Sequence, residues 1–387
     1  MALDLATDRF PLAERHPGPR GAPGGPGGER TPRPAPRRRW PAFLIEGLLI
    51  AGLLVPIVRD EIDPPALREA AAAYGRNDLE TALRSALDHL DRQPVNRAAA
   101  LLAARCLSRL DFAEKAEPYY RRAGPLGLDD RHIRAYGLVR ANRREEAVGA
   151  YQDILARRPD DVLALRRLAA VRIAQARRDE ALALADRLIL IPSGAVIGHT
   201  LAGVVHHDTE SPERAVAAFE RVLALDPDLR LLPLHPGSMF WTYLAQDLLA
   251  LGRPAEARRG LARALSGSGD ATLAGLMGQA YRQEGDFDEA ERWWRQASEW
   301  DPTLVEPWLN LGRLMLQRDR PGEAIAPLSK AAAVAPKASE PLYSLSLANR
   351  RLGRQAEADR LRAEADRLRG QSGPPPHGMG TQRSPVP

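Results

Sequence analysis

One cysteine in 387 residues leaves no partner for an intrachain disulfide and no thiolate set for a metal cluster. Aromatic residues make up 5% of the chain, too few for one large aromatic core. Lysine is nearly absent too: only Lys115, Lys330 and Lys337 carry an ammonium, so almost every cation is an arginine. Catalytic signatures are missing. There is no Gly-Lys dipeptide, hence no phosphate-binding P-loop, and no HExxH, GxSxG or GxGxxG. The chain is therefore expected not to be an enzyme, with no catalytic residue, cofactor or metal to assign. His199, His206, His207 and Asp208 form the one cluster that invites a metal. His199 and His206 would share a helix face, but at positions where helices pack, so they are read as packing residues. Cys106, inside a helical pattern, is read the same way.

The net charge of +5 is uneven along the chain. Residues 1–40 hold eight arginines against four acidic residues, whereas residues 41–370 balance at 46 basic and 46 acidic. Nucleic-acid binding needs concentrated basic surface to displace counterions from phosphates, and the balanced stretch argues against it. Residues 1–40 are rich in Pro, Gly and Arg and are expected to form a disordered head; residues 371–387 are expected to form a disordered tail.

Pro41–Val58 has one ionisable residue, Glu46. A helix of that length rises about 27 Å, just enough for a hydrocarbon core. Arg37, Arg38 and Arg39 precede it, while Asp60, Glu61 and Asp63 follow. Three readings fit: a single-pass anchor, a cleaved signal peptide, or an apolar helix buried or lying on a surface. The anchor is preferred because nothing after Val58 resembles a cleavage site. The positive-inside tendency then places the N-terminus in the cytoplasm and the rest outside it, in a periplasm if the source is bacterial. Gly47 and Ala51 form a small-residue pair that would allow self-association.

What the chain does have is alanine at nearly fixed spacing: Ala82, Ala116, Ala147, Ala181, Ala215, Ala257, Ala290, Ala324 and Ala358. The steps are 34, 31, 34, 34, 42, 33, 34 and 34 residues, a period that signals stacked helical hairpins. With each alanine as the twentieth position of a repeat, the eighth position is always small: Ala70, Ala104, Ala135, Ala169, Gly203, Ala245, Gly278, Gly312 and Ser346. Small residues let helix backbones approach closely. Pro94, Pro159, Pro227, Pro302 and Pro336 fall where a second helix should end. Asn77, Asp111, Asn142, Gly252, Gly285, Asp319 and Gly353 fall where each hairpin should turn.

Trp308, Leu311, Gly312, Met315, Ala324, Leu328, Ala331 and Pro336 resemble the tetratricopeptide repeat signature. Ala271–Leu304 is similar through Gly278, Tyr281, Ala290, Trp294, Ala297 and Pro302. The resemblance implies an all-α, right-handed superhelical solenoid over 63–370, preceded by a single hydrophobic helix at 41–58. Its nine antiparallel helix pairs would lie near 63–96, 97–127, 128–161, 162–195, 196–229, 238–270, 271–304, 305–338 and 339–370. Glu69, Arg131 and Arg134 stand where the pattern expects an apolar residue, so the repeat pattern fixes the packing around 63–135 less well than elsewhere. Pro233 and Pro236 lengthen one connection at 230–237.

In such repeats the first helices line a groove. Carried onto this sequence, that implies a peptide groove of Gln279, Arg282, Gln283, Leu309, Arg313, Leu316, Tyr343, Leu347, Arg350 and Arg351. Earlier units would contribute Arg105, Arg109, His132, Tyr136, Arg140 and Arg166. The lysine–asparagine carboxylate clamp of chaperone-tail-binding repeats is absent, and only Asn310 stands where glycosyltransferase-linked repeats carry an asparagine ladder. The expected function is a membrane-anchored scaffold that binds a protein or peptide partner, in envelope assembly, secretion or complex formation. The alternatives are a soluble or secreted adaptor with the same repeats and a non-catalytic subunit of an enzyme complex.

Overall fold

The computed structural model describes residues 65–232, 237–266 and 269–371. They form eighteen α-helices and, among the described residues, no strand. The head, the apolar segment 41–58 and the tail after residue 371 lie outside them, and so does the hydrophobic helix expected ahead of the repeats. Among the described residues no helix is long and apolar enough to cross a membrane.

The chain divides into two compact units, with the division between Ala164 and Leu165. The first holds α1 (Pro65–Gly75), α2 (Leu79–Arg92), α3 (Arg97–Arg109), α4 (Ala113–Ala123), α5 (Leu128–Arg140) and α6 (Arg144–Arg157). The division falls within α7 (Val162–Ala174). The second unit continues with α8 (Arg178–Ile189), α9 (Ala195–Asp208), α10 (Pro212–Leu225), α11 (Ser238–Ala250) and α12 (Pro254–Leu265). It ends with α13 (Ala271–Glu284), α14 (Phe287–Trp300), α15 (Val305–Gln317), α16 (Pro321–Val334), α17 (Ser339–Arg351) and α18 (Gln355–Gln371). Odd- and even-numbered helices alternate as the two arms of hairpins joined by two or three residues.

The same turn closes every hairpin. Asn77, Asp111, Asn142, Ala176, Glu210, Gly252, Gly285, Asp319 and Gly353 all adopt left-handed backbone, with φ between 52° and 84°. The residue after each donates its N–H to a carbonyl five residues back, as from Asp78 to Ala73 at 2.9 Å and from Arg320 to Met315 at 2.8 Å. This satisfies a carbonyl that the helix end would otherwise leave open and sends the chain back along itself. Glycine adopts this conformation without strain and asparagine or aspartate tolerates it, but alanine and glutamate do not favour it. Ala176 and Glu210 are turn residues that composition alone does not reveal.

Packing between the arms follows the small-residue pattern. All nine ladder alanines are buried, and so are the small residues at the eighth positions. Where the eighth residue is glycine, a bulky side chain from the second arm fills the space: Phe219 over Gly203, Trp294 over Gly278, Leu328 over Gly312. A Cβ at residue 278 would lie 2.6 Å from the Trp294 ring. The bare backbone also lets the Trp294 indole donate to the Gly275 carbonyl at 3.0 Å. In α9–α11 an aromatic set adds to this, with Phe219 and Phe240 edge to face at 5.2 Å.

The off-pattern residues of the first unit do not disrupt it. Arg134 makes a two-pronged bond to Glu117, both contacts at 2.8 Å, and Arg131 donates to the Leu126 carbonyl. Glu69 simply faces solvent beside a core of alanine and leucine. In the long connection after α10, Asp226 is buried and accepts from the Leu231 N–H at 2.7 Å, which holds Leu232 in the core.

Ala176→Gly should stabilise the protein by about 1 kcal/mol, because glycine removes the left-handed strain. Gly278→Ala should destabilise it by roughly 1–3 kcal/mol through overpacking against Trp294. Urea unfolding followed by circular dichroism checks both signs.

Candidate interaction surface

Within each unit the odd-numbered helices touch one another directly: α1 with α3 and α3 with α5 in the first, α9 with α11, α11 with α13 and α15 with α17 in the second. Where they touch, their exposed side chains form a face distinct from that of the even-numbered helices. A pair joins α9 to α11 on it: His207 Nδ1 lies 2.9 Å from Asp247 Oδ1, with the Tyr243 ring 4.7 Å from the imidazole. His199 and His206 are half-buried, and burial, aided by Arg221 and Arg214, holds both below the usual histidine range. Among the described residues no group of three or more His, Cys, Asp and Glu is arranged to hold a metal ion.

In the first unit the face is occupied by its own contacts. Arg105 donates to Asp130 at 2.5 Å, and His132 lies 3.3 Å from Asp161. Arg109 donates to Asn77 and Arg140 to Asp111, each at 2.6 Å. Tyr136 is buried. Arg166, on α7 just past the division and so in the second unit, has its guanidinium pushed below the usual range by burial and by Arg167.

In the second unit the ten groove candidates sort into three kinds. Leu309 and Leu316 are buried, at 7% and 5% exposure, in the core around Ala324 and Leu328. They present no surface, because the next hairpin covers the helix flank on which they lie. Gln283 and Arg351 reach back to the preceding hairpin instead: Gln283 donates to the Leu249 carbonyl at 3.2 Å and Arg351 to the Leu316 carbonyl at 2.5 Å. The third kind keeps its polar groups available. Arg282 is exposed and makes no ion pair among the described residues; Arg313 lies 3.6 Å from Glu340 and Arg350 lies 3.8 Å from Asp359. Both pairs are about half exposed and too long for hydrogen bonds, so they contribute well under about 1 kcal/mol and exchange readily for another carboxylate. Gln279 and Leu347 are half-buried, and Tyr343 is exposed with Arg362 stacked 4.5 Å from its ring.

One set of contacts escaped the sequence reading. Arg109, Arg140 and Arg351 hold the same position in their repeats, and each reaches the turn residue of the repeat before, Asn77, Asp111 and Asp319 respectively. An arginine recurring about thirty residues after an Asn or Asp turn was the available signal. Wherever the previous turn is Ala, Glu or Gly the arginine is missing, and after Asn142 the position is Ala174.

The even-numbered helices carry a charged network. Arg253 and Arg320 bond the glutamate three residues on, Glu256 and Glu323, and also reach Glu220 and Glu291 of the preceding hairpin. Asp288, Glu291, Arg292, Arg295, Arg318 and Arg320 line a cavity of about 360 Å³ between hairpins. Burial alone would raise the Glu291 carboxyl; the bonds from Arg295 and Arg320 outweigh it and hold the group below the usual carboxylate range.

A family model described as TPR repeat matches residues 278–319, and one described as Tetratricopeptide repeat matches residues 198–229. No curated protein matches the chain. Several solved structures are similar. MamA is 18% identical over 44% of this chain and 95% of its own, with a TM-score of 0.38. YrrB, described as a TPR protein with an unusual peptide-binding site, is 22% identical over 50% of this chain and 97% of its own, with a TM-score of 0.42. A tetratricopeptide repeat protein from Parabacteroides merdae is 14% identical over 66% of this chain and 99% of its own, with a TM-score of 0.45.

Two outcomes follow from this sorting. Arg140→Ala should cost roughly 0.5–1 kcal/mol of stability, while Arg282→Ala should be neutral, as urea midpoints will show. Because the Glu291 carboxyl is depressed in the folded state, its contribution is complete above the usual carboxylate range and is lost as pH falls through it. Glu291→Gln should therefore lose less stability than the parent between neutral pH and pH 3.

Proposed function

From the tetratricopeptide repeats at 198–229 and 278–319, we propose that the protein is a non-catalytic interaction scaffold. Its partner is a protein or peptide that docks on the exposed face of α13, α15 and α17. One observation carries the choice of face: Arg282, Arg313 and Arg350 make no short hydrogen bond there among the described residues, whereas Arg105, Arg109 and Arg140 on the first-unit face are held by internal bonds. A guanidinium fork takes a carboxylate in two-pronged geometry, and Tyr343 and Leu347 add apolar surface between the arginines. The fitting partner is an acidic segment with apolar residues interspersed. The apolar segment 41–58 tethers the scaffold to a membrane, a reading that rests on its composition alone.

Affinity capture with the full-length protein as bait, repeated with Arg313→Glu and Arg350→Glu, tests the face. Each reversal should weaken capture of the true partner about tenfold, roughly 1.4 kcal/mol, and added salt should weaken it further. Retention of every partner by both variants excludes this face. Membrane fractionation of the same protein tests the tether; recovery in the soluble fraction would leave an untethered adaptor.

A further inference from the structure

A crevice of about 420 Å³ opens between α14, α15 and α16, walled by even-numbered helices and separate from the face proposed above. It interrupts a series. One hairpin earlier, Leu265 and Trp293 pack with Met277 and Tyr281 into the core and close the corresponding gap. One hairpin later, Leu361 does so with Leu342 and Leu345. Between α14 and α16 the places of Leu265 and Trp293 are held by Ser298 and Pro327, which are too short to meet. The floor left open is apolar. Trp308, Leu311 and Met315 follow one another along α15 over about 10 Å, two helical turns. The nearby polar atoms are already engaged: Trp308 Nε1 donates to the Pro302 carbonyl at 3.2 Å, and the Ser298 hydroxyl donates to the Arg295 carbonyl at 2.8 Å. Such a floor is surface that a cover would remove from water.

The charges on the two walls say what kind of cover fits. On α14, Asp288, Glu289, Glu291, Arg292 and Arg295 are all held in ion pairs within the chain, as is Glu323 on α16. The remaining charged residues of these two helices are Glu299 and Lys330. Both line the crevice and are exposed, and neither makes an ion pair among the described residues. They stand on opposite walls, a free carboxylate on α14 and a free ammonium on α16. The matching surface is therefore an apolar stripe with a cation along one flank and an anion along the other. An amphipathic helix has that form: its bulky residues at i, i+3, i+4 and i+7 cover two turns of floor, and its flanking positions reach the two walls. A helix laid between two others also seats its ridge in their groove.

We propose that the α14–α15–α16 crevice receives an amphipathic helix of a partner protein. Its large apolar side chains replace the missing Leu265 and Trp293 equivalents over Trp308, Leu311 and Met315. A basic residue on one flank meets Glu299 and an acidic residue on the other meets Lys330. The protein then has a second docking site, on the opposite set of helices from the arginine-bearing face.

The test uses the full chain and fluorescein-labelled helical peptides of about 14 residues, two heptads, with tryptophan and leucine on one face. One peptide carries lysine on one flank of that face and glutamate on the other; a second carries lysine on both flanks. Fluorescence anisotropy at low salt should show the mixed peptide bound about tenfold tighter than the all-lysine one. Lys330→Glu makes both walls acidic and should reverse that preference. Pro327→Leu places in the crevice the residue that closes the next gap, and it should abolish binding of both peptides while circular dichroism shows the helices retained. Arg313→Glu, on the other face, should leave binding unchanged. Failure of the mixed peptide to bind overturns the proposal, as does binding that survives Pro327→Leu or a preference that Lys330→Glu leaves in place. Dimerisation of the full chain that Pro327→Leu abolishes makes a second copy the occupant and overturns it as well.

Discussion

Each hairpin exists because two helix backbones can come close enough for a side chain of one arm to lie on the bare backbone of the other. Gly278 beneath Trp294 shows the requirement in its most demanding form, since even one added carbon would meet the ring. Everything else is arranged around that approach. The ladder alanines keep the second arm equally slim, and the left-handed turn returns the chain at the distance that the small residues permit. Close packing of this sort gains dispersion contacts at many points. It also needs few aromatic residues, which is why so low an aromatic content suffices.

Once the hairpins are fixed, arginine is divided between two tasks. Those at the end of a first arm are drawn to the turn of the previous hairpin, where an Asn or Asp side chain or an open carbonyl awaits a donor. Arg282 and Arg350, one residue earlier in their repeats, make no such bond among the described residues and stay exposed. The division is made by local geometry and not by charge count, since both groups are the same residue on the same face. A reading that treats every arginine on the first helices as a contact for a partner therefore overstates the surface, and most severely in the first unit.

The packing positions were legible because they obey a strict period and involve the least ambiguous residue types. Turns were legible wherever Asn, Asp or Gly marked them, and invisible at Ala176 and Glu210, where tertiary packing imposes a conformation the residue does not prefer. Leu309 and Leu316 were misplaced for a related reason: helical periodicity puts them on an outward flank, but only the neighbouring hairpin decides whether that flank meets water. The crevice beside Trp308 depends on a gap between side chains distant in sequence, and no period records it.

The two strained turns fall in consecutive hairpins, α7–α8 and α9–α10, just after the division between the units. A stacked array behaves as a row of coupled links, each held by itself and its nearest neighbours, and it opens at the weakest. Ala176 and Glu210 place that weak link inside the row instead of at its frayed ends. Local opening at these two hairpins would then expose backbone to a protease within the repeats and not only at their ends.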